Sequence, residues 1–336
     1  MAINFNSNNI TQVNWNGNSL TQVNFNGVKV WPAVTPVEPN YFYIECLTEM
    51  DPNTKPHIYL SQGDGTYYPT LYYSNDKTNW SLLSNETIIE MEESEKIYFK
   101  AGPLGNVGIN QDEASEYNGF SLNYGTFSCG GDISTLQNEN GNVDPYTVGT
   151  SFQFARIFQA QSNLVSCSNL ILPTKIYDTY LHYGFYQSGI QDFPDFSHIT
   201  HIDYNSLGSC FRATPATGAV DFSSVLLYDN TSGNTNQYGF NHCFRQSGVT
   251  SAKFSSAIPS YGVFNSAFLD CSNLSSIEVG WTSWGGEGSA AGTYNSWVNR
   301  VSSTGTFKCP TALGTNETIE RGTVRCPANW TVINTD

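Results

Sequence analysis

Phe240-Asn-His-Cys-Phe-Arg-Gln-Ser-Gly-Val249 and Phe264-Asn-Ser-Ala-Phe-Leu-Asp-Cys-Ser-Asn-Leu274 follow one pattern. An aromatic residue leads through polar or small residues to a Phe. A Ser-Gly or Ser-Asn turn then leads into an aliphatic residue. Phe154-Ala-Arg-Ile-Phe-Gln-Ala-Gln-Ser-Asn-Leu164 repeats it, and weaker copies run through Gly184-Phe-Tyr-Gln-Ser-Gly-Ile190 and Ser209-Cys-Phe-Arg-Ala213. Taking Phe158, Phe185, Phe211, Phe244 and Phe268 as markers, the steps are 27, 26, 33 and 24 residues. Self-similarity at roughly 20–50 residues is the signature of stacked repeats. Each unit is predicted to be a short turn, or a single helical turn, followed by a short strand. Stacked units would bury the five Phe markers with Leu164, Val249 and Leu274 in one continuous core. Terminal units need a cap, and Trp281, Trp284, Trp297 and Trp330 supply large apolar side chains for it.

Composition agrees with such a chain. Of 336 residues only 13% are charged, while 20 Tyr and 20 Phe bring the aromatic share to 14%. The residues that cover long helices are scarce, and strand and turn formers are abundant. Fourteen basic against 29 acidic residues give a net charge of −15, which repels phosphate backbones and argues against nucleic acid as a partner. No apolar run approaches the ~20 residues of a spanning helix, so no membrane insertion is expected. The opening Met1-Ala2-Ile3-Asn4-Phe5-Asn6 lacks the features of a secretory signal, which places the chain's synthesis in a cytoplasm. The eight cysteines form no close pair and are expected to be buried free thiols.

The opening carries its own repeat: Ile10-Thr-Gln-Val-Asn-Trp-Asn-Gly17, then Leu20-Thr-Gln-Val-Asn-Phe-Asn-Gly27. Alternating apolar residues closed by Asn-Gly predict short strands and tight turns. Two such strands bury too little to stand alone, so residues 1–31 are expected to order against sister chains or a docking partner. Residues 32–40 are Pro-rich and read as an extended linker. Residues 41–149 read as a β-domain, with strands at Tyr41–Cys46, Pro69–Ser74, Glu86–Glu90 and Lys96–Lys100. The string Tyr73-Ser-Asn-Asp-Lys-Thr-Asn-Trp80 is similar to the S-x-D-x-G-x-x-W hairpin of sialidase propellers, with Lys77 in the place of Gly. Its expected role is a structural hairpin in which Asp76 bonds its own backbone. The acidic run Glu90–Glu95 reads as a solvated turn before a strand.

Candidate chemistry is sparse. His198 and His201 lie three apart, but Phe196, Ile199, Ile202 and Tyr204 around them read as strand and turn, so neither metal nor any cofactor is expected. Asp192, Asp195 and Asp203 could be imagined as a glycosidase pair, which needs two carboxyls ~5–10 Å apart. No phosphate loop, nucleophile elbow or Cys/His dyad is present, so no catalytic residue is assigned and no enzyme is expected.

The Phe-x-x-Cys-Phe-x-x-Ser-Gly-Val and Phe-Leu-Asp-Cys-Ser-Asn-Leu units resemble the BspA-like leucine-rich repeats of gut-bacterial surface proteins and of the phages that infect those bacteria. Tyr72–Trp80, Lys96–Lys100, Gly130–Leu136, Trp297–Phe307 and Cys326–Val332 look like elements that precede and follow such repeats. Val23-Asn-Phe-Asn-Gly-Val-Lys-Val-Trp31 resembles the N-terminal attachment strings of phage head and tail fibre proteins. Two stretches depart from the repeat pattern, the shortened 183–199 and 213–220, which carries Thr-Pro-Ala-Thr-Gly in place of the usual turn, and they leave the repeat count open. The resemblance implies a mainly β chain. Residues 1–31 would attach it, with Val13, Trp15, Val23, Phe25, Val28 and Trp31 as contacts. Residues 150–280 would form an irregular leucine-rich-repeat solenoid, and residues 281–336 its cap. It further implies a virion structural protein, a head or tail fibre or decoration. Its partners would be capsid, portal or tail proteins, a homo-oligomer of two or three chains, and a host-surface glycan or protein. A bacterial adhesin of the same repeat type and a polysaccharide depolymerase are the alternatives.

Overall fold

In the computed structural model, residues 14–15, 18–19, 23–25 and 28–31 are described by their backbone. Residues 39–336 are described except 51–52, 63–67, 86, 107–108, 111–117, 140, 142–151, 229–238, 260–261 and 285–293. Met1–Pro39 and Asn40–Asp336 are separate compact units. In the first, β1 (Asn14–Trp15) pairs antiparallel with β2 (Asn18–Ser19), and β3 (Val23–Phe25) with β4 (Val28–Trp31). The closing pairs Trp15↔Asn18 and Phe25↔Val28 bracket the two Asn-Gly dipeptides at 16–17 and 26–27. Each decapeptide thus supplies a two-stranded hairpin rather than a single strand.

The second unit begins with an antiparallel domain. Its strands are β5 (Phe42–Glu49), β6 (His57–Ser61), β7 (Leu71–Ser74), β8 (Ser81–Leu83), β9 (Ile89–Glu90), β10 (Lys96–Ala101), β11 (Gly119–Asn123) and β12 (Gly125–Asp132). With β13 (Leu164–Ile171) they form a six-stranded sheet, β13-β12-β5-β10-β7-β8, and a three-stranded sheet, β11-β6-β9. Strict alternation in β5, β6, β10 and β11 puts one side of each strand into the core. Phe42 and Phe99 of the larger sheet meet Phe120 of the smaller at 5.9 and 5.0 Å. The four expected strands are present with shifted ends. The strands β6, β8, β11 and β12 went unforeseen. Four residues, Ile133–Leu136, form a 3-10 turn whose Asp132 carboxylate accepts the Ser134 amide.

β12 is antiparallel to β5, but its pairing with β13 and every pairing among the later strands is parallel. β14 (Lys175–Ile176), β15 (His201–Ile202) and β17 (Leu227–Tyr228) form one ladder. β16 (Thr217–Phe222), β18 (Gly248–Phe254), β19 (Ser276–Val279), β20 (Thr306–Cys309) and β21 (Thr331–Asn334) form another. Between strands lie turn segments at 153–160, 178–187, 204–213, 239–246, 262–270 and 295–300. Each circuit of turn and strand lies on the next, giving a stack of coils. The pattern runs past residue 280, since 295–300 and β20–β21 belong to it.

The turn segments are not helical. A left-handed residue recurs every fourth position: Phe152, Arg156 and Ala160, then Thr179, Tyr183 and Gln187, then Asn205, Ser209 and Ala213. His242 and Gln246, Ser266 and Asp270, and Ser296 and Arg300 continue the series. Amides then alternate. Ala155, Ile157 and Gln159 donate within the coil to the carbonyl three residues back, while Phe154, Arg156, Phe158 and Ala160 donate to Tyr180, His182, Gly184 and Tyr186 of the next coil. The same division recurs from coil to coil, for example Tyr183, Phe185 and Gln187 to Gly208, Cys210 and Arg212.

This register brings the Phe markers into one column. Ring centroids are 5.6 Å apart for Phe158–Phe185, 5.3 Å for Phe185–Phe211, 5.7 Å for Phe211–Phe244 and 5.5 Å for Phe244–Phe268. The last three pairs lie within 7° of parallel. All five are fully buried, as are Leu164, Val249 and Leu274. The β-domain closes the first coil: Ile109, Asn110 and Phe120 amides donate to Gln153 and Ile157, and the buried Asn110 side chain donates to Ala155. At the far end Trp281, Trp297 and Trp330 are buried, with Trp297 Nε1 donating to Arg325 and Trp330 Nε1 to Ser302.

Phe211→Ala is expected to cost about 3–5 kcal/mol, and Phe211→Leu about 1.5 kcal/mol or less, in urea unfolding. At the exposed left-handed Gln246 (φ 60°) a β-branched Val should cost about 1–3 kcal/mol, whereas Asn should be near neutral. Equal effects of Val and Asn would contradict the coil geometry.

Candidate functional site

The register that stacks the Phe rings also aligns outward residues. Arg156 N donates to His182 O and Tyr183 N to Gly208 O, so Arg156, Tyr183 and Ser209 share one column, which His242 continues through the Ser209–Asn241 bond. Three residues further along each coil, Gln187 N to Arg212 O and Ala213 N to Arg245 O align Tyr186, Arg212 and Arg245 in a second column. Neighbours in these columns touch. The Arg156 guanidinium lies 5.4 Å from the Tyr183 ring centre and that of Arg212 5.3 Å from Tyr186. Tyr183 and Tyr186 meet edge to face at 5.3 Å, and His182 packs on Tyr183 at 4.3 Å. All these side chains are half-buried, so their aliphatic and ring faces pack while their tips reach the surface.

The face carries Arg156, Arg212 and Arg245 in a chain of net charge −15. Among the described residues Arg212 and Arg245 pair with no carboxylate, whereas Arg300 is bound to Asp270 and Arg325 to Glu320. Burial, then the Arg245 and Arg212 charges, lower His242 to about 4. Burial and then Arg156 likewise lower His182 to about 4, so both imidazoles are neutral at pH 7. An open cleft of about 260 Å³ lies at the head of the columns, lined by Ser61, Phe120, Arg156, Gln159 and Gln161. A chain of hydrogen-bonding and cationic tips over stacked rings suits recognition of an elongated polar ligand.

A second open cleft, about 710 Å³, lies beside β13 and includes Tyr43, Lys96, Asn169, Asp195 and His198. Its charged and imidazole groups already have partners. Lys96 pairs with Glu45 at 3.5 Å and covers the Tyr43 ring, Asp195 accepts the Ser197 amide, and His198 Nε2 lies 2.7 Å from Leu172 O.

The other candidates from sequence sit as follows. His201 Nδ1 is 2.8 Å from Thr200 Oγ1, and no cluster of three metal-ligating side chains occurs among the described residues. Asp192 accepts Ser166 Oγ and the Cys167 amide, and the fully buried Asp203 accepts the Tyr204 amide. Each carboxylate thus fastens a local turn or a neighbouring coil. Val13 lies outside the described residues. Trp15 is in β1, Val23 and Phe25 in β3, Val28 and Trp31 in β4. The Arg–Tyr columns were not foreseen; their signal was the repeated Phe-Arg step at Phe211-Arg212 and Phe244-Arg245. All eight cysteines are buried and free, and burial pushes the Cys46, Cys271 and Cys309 thiols up to about 11.

The 74–80 hairpin is built around Asp76. Its Oδ1 accepts the Thr78 and Asn79 amides at 2.8 Å and the Ser74 hydroxyl, its Oδ2 accepts Asn79 Nδ2, and Trp80 Nε1 donates to Lys77 O. Lys77 is left-handed (φ 61°), the conformation for which Gly is favoured. The Asn79 and Thr78 amides, then the Asn79 and Ser74 side chains, hold Asp76 well below the usual carboxylate range.

No protein-family model, curated protein or solved structure matches the chain.

A carboxylate with a depressed native pKa stabilises above its unfolded value, about 4, and loses that effect as pH falls. Asp76→Asn should therefore lower the thermal midpoint at pH 7, and the gap to the parent should narrow below about pH 4. A pH-independent gap would contradict the assigned bonds. A thiol reagent at pH 8 should modify the native cysteines slowly and all eight once denatured.

Proposed function

We propose that the chain is a bacteriophage virion structural protein, a head or tail fibre or decoration. It docks through residues 1–31 and displays a leucine-rich-repeat-like coil stack for attachment to a host-surface glycan or protein. The observation that carries the reading is the pairing of two unlike parts. One is a tandem of two-stranded hairpins too small to hold a core of its own. The other is a coil stack whose aromatic column and cross-coil amides make a rigid platform. The attachment-string and BspA-like resemblances support the same division of labour. The hairpins gain a core only by packing against capsid, portal or tail proteins or against sister chains, which favours a dimer or trimer. The display face needs no catalysis, because its Arg and Tyr side chains offer contact area and donors rather than a reacting group.

A chain lacking residues 1–31 is expected to keep the thermal midpoint of the coil stack yet fail to enter particles in a complementation assay. Normal incorporation of the shortened chain would overturn the docking role.

A further inference from the structure

We infer that the face formed by Arg156, Tyr183, Tyr186, Arg212 and Arg245 binds an acidic, carboxylate-bearing polysaccharide lying along the coil stack. The inference rests on the binding role proposed above and names the class of ligand for that face.

Charge comes first. Arg212 and Arg245 hold the same position on adjacent coils, and neither meets a carboxylate among the described residues. Two like charges on adjacent coils repel each other, an arrangement that an anion between them relieves. His242, lowered first by burial, is lowered further by the Arg245 and Arg212 charges beside it.

Geometry comes second. The Arg212 guanidinium lies over the Tyr186 ring, as that of Arg156 lies over Tyr183, and the contact restricts its rotamers. A guanidinium fixed in this way loses little rotamer freedom on forking a carboxylate, and the bidentate pair is among the stronger hydrogen-bonded contacts. The Nε atoms of Arg212 and Arg245 are buried without a hydrogen-bond partner.

Spacing decides the class. Arg212 lies one coil from Arg245, or about 5 Å along the stack. A uronate chain, with a carboxylate on every sugar or every second sugar, presents charge at comparable intervals. Nucleic acid carries a charge every ~1.7 Å, and its binding requires many basic contacts. Three arginines on a surface of net charge −15 do not supply them. The tyrosine edges and the Gln159 and Gln161 amides in the adjoining cleft give a sugar chain its hydroxyl partners.

The test is calorimetric titration of the full chain with oligogalacturonate. Its methyl-esterified form, which keeps the backbone and loses the charge, and a single-stranded oligonucleotide are run alongside. The acid form is expected to bind and to weaken with salt, and the ester and oligonucleotide to bind far more weakly. Arg212→Gln with Arg245→Gln should weaken binding about tenfold or more, and Arg212→Lys with Arg245→Lys should give a smaller loss, because the charge stays and the fork is gone. Arg300→Gln, at an arginine already paired with Asp270, should leave binding unchanged. Absence of binding by the acid form, equal binding of acid and ester, or an unaffected glutamine double variant with parental melting would overturn the inference. Particle incorporation of the double variant separates the two claims. If it incorporates normally while oligogalacturonate fails to bind, only the ligand class falls.

Discussion

The alternation of backbone amides in the turn segments is the constraint on which the rest of the second unit depends. One amide closes a tight turn within its coil and the next reaches the carbonyl of the coil above it. A turn segment buried between two others has no water to satisfy its polar groups, so every unmade bond would cost about 1–3 kcal/mol. Meeting that demand requires a left-handed residue every fourth position, at side chains as unsuited to it as Phe152, Tyr183 and Arg156. The strain, about 1–2 kcal/mol at each, is accepted because the alternative is orphaned backbone. Once that register exists, the side chains have no freedom of position. Phe stands on Phe at 5.3–5.7 Å from Phe185 to Phe268. The outward residues three to four places away fall into columns by the same rule.

Both ends of such a stack present unpaired groups, and the fold closes them by unlike means. At the first coil, Asn110 and Phe120 of the antiparallel domain supply donors to Ala155 and Ile157, and Phe120 stacks at 5.7 Å on Phe158. The β-domain is thereby the first rung of the aromatic column as well as a neighbour of it. At the last coils the ring column gives way to indoles. Trp297 meets Phe268 at 6.2 Å and Trp284 meets Phe307 at 5.9 Å, with Arg325 laid over Trp284. One continuous core therefore runs from Phe42 to Trp330.

Much of this was legible in the sequence where a single residue type carries the message. The marker Phe residues, the Asn-Gly dipeptides, the Asp76 hairpin and the Trp-rich end are local signals with one physical meaning each. The conformation of the turn segments was not legible, because left-handed backbone is signalled by Gly or Asn, and here it is imposed on Arg, Tyr, Ser and Gln by cross-coil bonding. Strands such as β6 and β11 were missed because their short alternation lies beside stretches of Gly, Asp and Asn that read as turns. The Arg–Tyr face was hidden for another reason. Its residues come from separate coils at unequal steps of 27, 26 and 33 residues, so only the backbone register shows that Tyr186, Arg212 and Arg245 share a column.

Cross-coil amide bonding should make the coils one cooperative unit, and native-state hydrogen exchange reads that cooperativity residue by residue. The cross-coil donors Phe185, Phe211 and Phe244 are expected to be strongly protected and to open together, with a shared dependence on denaturant. Fast exchange at these amides, or separate opening of each coil in low denaturant, would contradict it.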